Sequence, residues 1–535
     1  MARPGPPARA NTSGWTTGAE PAPLMARRLT ISSCWRWFGR GCAGLFIHLV
    51  LLSAAPTRAA GQLPIEQFEL GNGMRFLLLE RPGLPTIEAG WVVPSGSATD
   101  PAGASGISHF IEHMMFKGSR VIGASDIDRE LALLAELDTI DASLAGGDPA
   151  GRKRQKRERA LEEQRQLLTA ELDQLAQLGA FGLEYSRAGG TRLNANTAED
   201  LTLYYVTLPA EKLELWFWLE ADRLSQPVFR ELEKEKSVVA EERRLRIDST
   251  PTGAADRAFD ALFWQSTAYA QPPLGVAGEV SSLRRSQLQE FFRRHYRADR
   301  LTAVLVGNFE TSRVRALAES YFGPLQNPAP NADRTTGAQL PRATVSQRPG
   351  TEPFEQQCDC PSQVRIRYPT VPFADDDQFA LQALAGLLNG RGGRLYRRLV
   401  LGRELAFSAF AQQTPLRQAG SFTVTLEAKG DVALPTLVEA WDAELALLTT
   451  TAPEAAELVR AQRRMATENL NQLKDPHALM RRLLVYAGLG DWRLLATWSE
   501  RLAAVKPQQI VDVARRHLVA ERRLVGYYRQ AKDER

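Results

Sequence analysis

Cysteine and histidine are the scarce residues of this chain, four and six among 535. Cys34 and Cys42 fall within the first 60 residues and only Cys358-Asp359-Cys360 lies beyond them, so no disulfide framework staples the body. That last pair reads as two thiols in a loop before a strand, with a local disulfide or a metal-binding pair as alternatives. Charge of one sign is scarce too. Residues 1–60 carry seven Arg and one acidic residue, leaving 59 basic and 61 acidic residues in the rest. A near-neutral body without a long basic face gives no electrostatic reason for a nucleic-acid partner. Beyond residue 60 no apolar run approaches the ~20 residues of a membrane helix, so no stable span is expected in the mature chain.

What is present begins with a leader. Arg27, Arg28, Arg36 and Arg40 precede the apolar run 42–52, and small residues follow at Ser53-Ala54-Ala55 and Thr57-Arg58-Ala59. A basic region, a short apolar core and a small-residue cleavage site predict a signal peptide over residues 1–60 and export, into the periplasm in a bacterium. Met25 is an alternative start, and an uncleaved membrane anchor or a transit peptide the alternative reading. The remaining length suggests two domains.

The stretch that carries chemistry is Ser105-Gly106-Ile107-Ser108-His109-Phe110-Ile111-Glu112-His113-Met114-Met115-Phe116. Nothing breaks a helix after Gly106, so His109 and His113 fall one turn apart with Glu112 on the same face. Two imidazoles so placed can hold one Zn²⁺, and the carboxylate beside them can reach a metal-bound water. A surface helix bearing two histidines has the same spacing, but among only six histidines the pattern is not expected by chance.

Along the chain, Phe68–Leu79 reads as a β-hairpin about Asn72-Gly73 and Thr86–Val93 as a strand. Asp126–Ala180 reads as a helical hairpin, with Leu134, Leu137, Ile140 and Leu144 facing Leu161, Leu168, Leu172 and Leu175 across a turn at 146–149. Its basic run Arg152–Arg159 is a solvated face. Thr191–Tyr205 alternates like one strand. Pro209 precedes an amphipathic helix with Leu213, Trp216, Phe217 and Leu224. A further helix over Glu231–Arg246 places Glu235 and Glu242 two turns apart on one face, with Val238 and Val239 inward; spacing alone leaves surface charge as the alternative. Thr302–Val306 is a buried strand, and the Pro- and polar-rich residues 326–350 suit a linker. Beyond it the order of strand (Val364–Tyr368), helix (Asp375–Leu388), Gly-rich turn, strand (Ser421–Ala428), helices and strand (Arg523–Tyr528) weakly repeats the first half, without a second H-x-x-E-H.

Four stretches in this order, GASGISHFIEHMMFKGS, LNANTAEDLTLYYVTLP, LEADRL and EKSVVAEERRLR, resemble the pitrilysin/insulinase family of zinc peptidases, whose signature is H-x-x-E-H. The likeness runs from about residue 65 to the C-terminus and is closest to the bacterial members similar to mitochondrial processing peptidase. It implies an α+β fold of two homologous αβ-sandwich domains, each a mostly antiparallel sheet covered by helices. The expected boundaries are a leader over 1–60, an N-terminal catalytic domain over 61–325 with a helical insertion at 126–186, a linker at 326–348 and a non-catalytic homologous domain over 349–535. It implies one Zn²⁺ per chain on His109, His113 and Glu242, with Glu112 as base and Glu235 as a supporting acid. Asn194, Ala195, Asn196 and Thr197 match the edge strand on which substrate adds. Three protein ligands leave a fourth position open for water, as a catalytic site requires.

There are two departures. The insertion lengthens the gap between His113 and Glu242, and its replacement from Asp128 to Ser186 by a short loop is expected to leave the zinc site folded. Many active members also carry an Arg and a Tyr seven apart in the second domain, where this chain has Val400 and Phe407. The implied function is a zinc endopeptidase hydrolysing peptides or unfolded protein segments, as a homodimer or with a related chain. The alternative is a non-catalytic or partner-dependent binding or assembly subunit of the same fold.

Overall fold

The structure, a computed structural model, describes residues 63–145, 152–327 and 352–531. The leader, the turn of the helical hairpin and most of the expected linker lie outside the described residues. Continuous apolar runs build the central strands of a first sheet, and alternating ones those of a second. The first contains β1 (Glu66–Glu69), β2 (Arg75–Glu80), β3 (Thr86–Val93), β4 (Thr191–Thr197), β5 (Thr202–Pro209) and β6 (Thr302–Gly307), in the order β1-β2-β6-β3-β5-β4. The second contains β7 (Phe354–Cys358), β8 (Gln363–Thr370), β9 (Ala406–Pro415), β10 (Gly420–Ala428) and β11 (Leu524–Gln530), in the order β7-β11-β8-β10-β9. The internal repeat is explicit here. From β2 onwards the first sheet has the same order as the second, and in each the leading pair is parallel while the others are antiparallel. The mixed α+β class with two mixed sheets is thus the observed one.

The first sheet is buried on both faces. One face, with Trp91 and Tyr204, packs on Phe110 and Met114 of the motif helix and on Trp216, Phe217, Leu288 and Phe291. The other, with Leu77, Leu79, Val92, Val304 and Val306, is covered by Leu479, Met480, Leu483 and Leu484 of helix Pro476–Leu489. Each such side chain contributes roughly 1.5–3 kcal/mol on burial, enough to weld this helix from the second half of the chain onto the first sheet. Arg417 adds polar ties: its backbone N–H donates to Asp200 Oδ2 (2.7 Å) and its guanidinium to the carbonyls of Asp200 (2.7 Å) and Gly488 (2.6 Å). The second sheet has one apolar face and one mixed face, on which Leu524 and Tyr528 of β11 pack against Phe259 and Phe263. Val364, Ile366, Phe422, Val424 and Leu426 pack on helices, whereas Arg365, Arg367 and Thr423 line a cavity.

Several sequence expectations need correction. Thr191–Tyr205 is not one strand but most of a hairpin, because the chain reverses at Ala198–Leu201, where the Ala198 N–H donates to the Leu201 carbonyl (2.9 Å). The helical hairpin is Ile127–Ala145 and Arg152–Leu175, and Leu133, Ile140 and Leu168 form its buried seam. Val238 is 50% exposed while Val239 is buried, since neighbours on a helix point about 100° apart. Cys358 ends β7 and is disulfide-bonded to Cys360. The segment from Asp128 to Ser186 is tied into the body near both of its ends. Glu130 pairs with buried Arg230 (2.8 Å), whose guanidinium also holds the carbonyls of Ser119 (2.7 Å) and Ile122 (3.0 Å) just after the motif helix. Phe181 and Tyr185 belong to the main core.

Candidate metal centre

Position begins with the helix Ile107–Met114, which Asp100 caps from the preceding loop. Asp100 Oδ2 accepts from Gly106 N (2.6 Å), and Oδ1 from Ser108 N (3.2 Å) and Ser108 Oγ (2.5 Å), satisfying donors a helix start leaves open. Burial nevertheless pushes the Asp100 carboxyl up to about 7, against the pull of those bonds. Gly106 is required: its φ is +85°, and a Cβ there would meet Gly275 Cα at 2.8 Å. Behind the helix lies the LEADRL segment. Glu220 accepts from Trp91 Nε1 (2.5 Å), Tyr185 and Arg223 Nε (2.6 Å), and the Arg223 guanidinium lies over the rings of Trp91, Phe116, Phe181 and Tyr204.

The two histidines meet a carboxylate from the helix Leu232–Arg243. His109 Nε2 and His113 Nε2 are 3.3 Å apart, and Glu242 Oε2 is 3.4 Å from the first and 3.1 Å from the second. Ligands ~2.0–2.1 Å from a tetrahedral cation sit about 3.3–3.4 Å from one another, so these atoms form one face of such a shell. Glu242 Oε2 is buried without a hydrogen-bond partner, the mark of lone pairs converging on a position meant for a cation. The donor set therefore fits zinc. Glu242 Oε1 is paired with Arg246 (3.0 Å). Neighbouring Glu241 is turned away and bonds Arg244 (2.6 Å).

Glu235 stands behind His113, its Oε1 2.8 Å from Nδ1, while its Oε2 takes Lys117 Nζ at 2.6 Å. This bond holds a proton on Nδ1, so that Nε2 is the nitrogen left to face a cation. His109 Nδ1 is buried and has no such partner. Burial and the charge of His113 push His109 down to about 4. Burial also opposes the charge on His113, but the hydrogen bond to Glu235 and the negative charge of Glu242 outweigh it and raise His113 to about 9. Glu112 is raised by burial, partly offset by Thr197, whose Oγ1 donates to Glu112 Oε2 at 2.5 Å.

A cavity of about 610 Å³ opens on this centre, walled by Asn194, Ala195, Asn196 and Thr197 of β4. β4 ends the sheet order, so among the described residues its outer edge has no strand partner. All nine residues singled out in the sequence thus line one cavity. Sequence reasoning missed Asp100, Lys117, Arg246 and Arg481, the last reaching the cavity from helix Pro476–Leu489 and lying over the Tyr205 ring at 4.9 Å. Val400 packs on the second core and Phe407 is 69% exposed; neither lines the cavity.

An H-x-x-E-H helix, a carboxylate from a second helix and an open edge strand, on a duplicated αβ framework, define the metallopeptidase class with the inverted zinc motif. Family models agree: residues 75–137 match "Insulinase (Peptidase family M16)" and residues 282–465 "Peptidase M16 inactive domain". The chain belongs to the pitrilysin/insulinase family. It is 23% identical over 483 residues to "Zinc protease PqqE" of Helicobacter pylori, covering 88% of this chain and 94% of that one. It is 25% identical over 397 residues to the "Probable mitochondrial-processing peptidase subunit beta, mitochondrial" of Arabidopsis thaliana, covering 72% and 62% respectively. The crystal structure of a protease from Helicobacter pylori superposes with a TM-score of 0.70 at 20% identity, covering 88% of this chain and all of that one. Glu242 and β4 fall between the two stretches matched by the family models.

Proposed function

We propose that this chain is a zinc-dependent endopeptidase acting on peptides or unfolded protein segments, with one zinc held by His109, His113 and Glu242. The observation that carries the reading is the triangle of donor atoms, 3.1–3.4 Å on a side, opening on an unpaired edge strand. Bound zinc supplies acidity to a water and polarises a carbonyl. The chain's own residues do the rest. Glu112 is the base: Thr197 fixes its Oε2, leaving Oε1 to take a proton, and burial raises its affinity for one. Glu235 orients His113, and Lys117 keeps Glu235 charged and in place. The edge of β4 binds the substrate main chain as an added strand, so recognition there is largely independent of side chains.

The replacement of the second-domain Arg and Tyr by Val400 and Phe407 favours a second reading, a subunit that needs a second copy or a related chain for activity. No helix among the described residues is long and apolar enough to cross a membrane. The basic and apolar leader supports export to the periplasm, with an uncleaved anchor as the alternative. A quenched peptide library, assayed with the chain alone and with any chain that co-purifies from its host, tests the reading. Cleavage should vanish on chelation and return with zinc. Cleavage only with the second chain present selects the subunit reading, and chelator-insensitive cleavage rejects both.

A further inference from the structure

A second cavity, of about 620 Å³, shares Arg246, Pro273 and Leu274 with the metal cavity. Thr197 of β4 lines the first and Glu199, two residues on, lines the second, so a peptide laid along β4 and continued past Thr197 passes from one into the other. The second cavity lies between the mixed face of the second sheet and the helix Gly253–Phe263. Its charges are mostly matched: Arg365 with Asp256 (2.5 Å), Arg367 with Asp260 (2.6 Å), and Arg246 with Glu242 (3.0 Å). Arg257 is the exception. Among the described residues it makes no ion pair or hydrogen bond, although Asp248 and Asp260 lie near enough to favour its charge, and its Nη1 is buried without a partner. The remaining acid, Glu199, is pushed towards its neutral form by burial and gives Arg257 no ion pair. A guanidinium whose donors are left unbonded in a half-enclosed polar cavity is costly until an acceptor meets it, and its planar fork fits a carboxylate through two parallel hydrogen bonds.

We propose that this cavity is a substrate subsite in which Arg257 binds a carboxylate, either an Asp or Glu side chain or the peptide's C-terminus. The proposal rests on the endopeptidase reading and adds a substrate class to it: acidic peptides. The test uses the full chain and paired quenched peptides that differ by Glu or Gln at one position at a time, each made with a free or an amidated C-terminus. At one position Glu should raise kcat/KM about ten-fold over Gln, mostly through KM. Arg257→Gln should bring that ratio near one, and Arg257→Lys should restore part of it. A preference that follows the free C-terminus assigns the terminal carboxylate as the ligand. Equal cleavage of all pairs by the wild type, or a preference that survives in Arg257→Gln, overturns the subsite and leaves the peptidase reading standing. Affinities of the same peptides for Glu112→Gln separate the two ideas: Arg257-dependent binding of acidic peptides without any cleavage by the wild type keeps the subsite and removes the peptidase, and absence of both removes both.

Discussion

Replacing Glu235 by Gln removes one charge from behind the metal site and leaves all three donor atoms untouched. In the wild type the carboxylate joins His113 Nδ1 at 2.8 Å to Lys117 Nζ at 2.6 Å, and it is buried. A hydrogen bond to a charged acceptor contributes about 1.5–3 kcal/mol against about 1 kcal/mol for a neutral one. Glutamine can still accept from Nδ1, so the loss should be near ~1.4 kcal/mol, or about ten-fold in zinc affinity. Glu235→Ala also frees the ring to rotate and should approach about 100-fold. Lys117 would keep only Glu231, at 3.4 Å, so Lys117→Met should weaken zinc less in a Glu235→Gln background than alone. Competition with a chromophoric chelator at fixed pH measures the wild type and the four variants. The reasoning is refuted if Gln and Ala variants hold zinc as tightly as the wild type.

Glu242→Gln should lower zinc content below one per chain while Glu241→Gln should not, because only the former faces the histidines; equal effects in mass spectrometry of the metal would contradict this geometry. Glu130→Gln leaves buried Arg230 without its counter-charge and should cost about 3–5 kcal/mol in urea unfolding; a loss under ~1 kcal/mol would show that the carbonyls alone satisfy Arg230. His295 is pushed down to about 3 by burial and then by Arg300 and Arg294. Below pH 6.5 the unfolded chain therefore takes a proton that the folded chain refuses, so stability is full above 6.5 and falls with pH, by about 1.4 kcal/mol at pH 5.5 from this residue. The urea midpoint of His295→Gln should depend less on pH than that of the wild type, and identical pH profiles would refute the assignment.

What could be read from the sequence was what is local. The motif helix was legible because its histidines lie one turn apart; for Glu235 and Glu242 the spacing gave only a shared face, and their roles came from the resemblance. Asn194–Thr197 could be placed only by resemblance, since the alternation that marks β4 runs on through Ala198–Leu201, a turn without Gly or Pro. Asp100, Arg481 and Arg257 carry no sequence signal at all. Each acts through a partner or cavity that the fold alone assembles, and Arg481 arrives only because helix Pro476–Leu489 covers the first sheet. The ties of the insertion were hidden for a related reason. Its Leu stripes read as self-contained, while Glu130 and Tyr185 are bonded into the body beside the metal helix.

The most direct test of the central claim is a paired measurement on Glu112→Gln: metal content by mass spectrometry and turnover of a peptide that the wild type cleaves. The variant keeps His109, His113 and Glu242 and loses only the base, so it should hold one zinc per chain while hydrolysis falls by at least about 100-fold. Turnover equal to that of the wild type at full zinc occupancy would contradict the account.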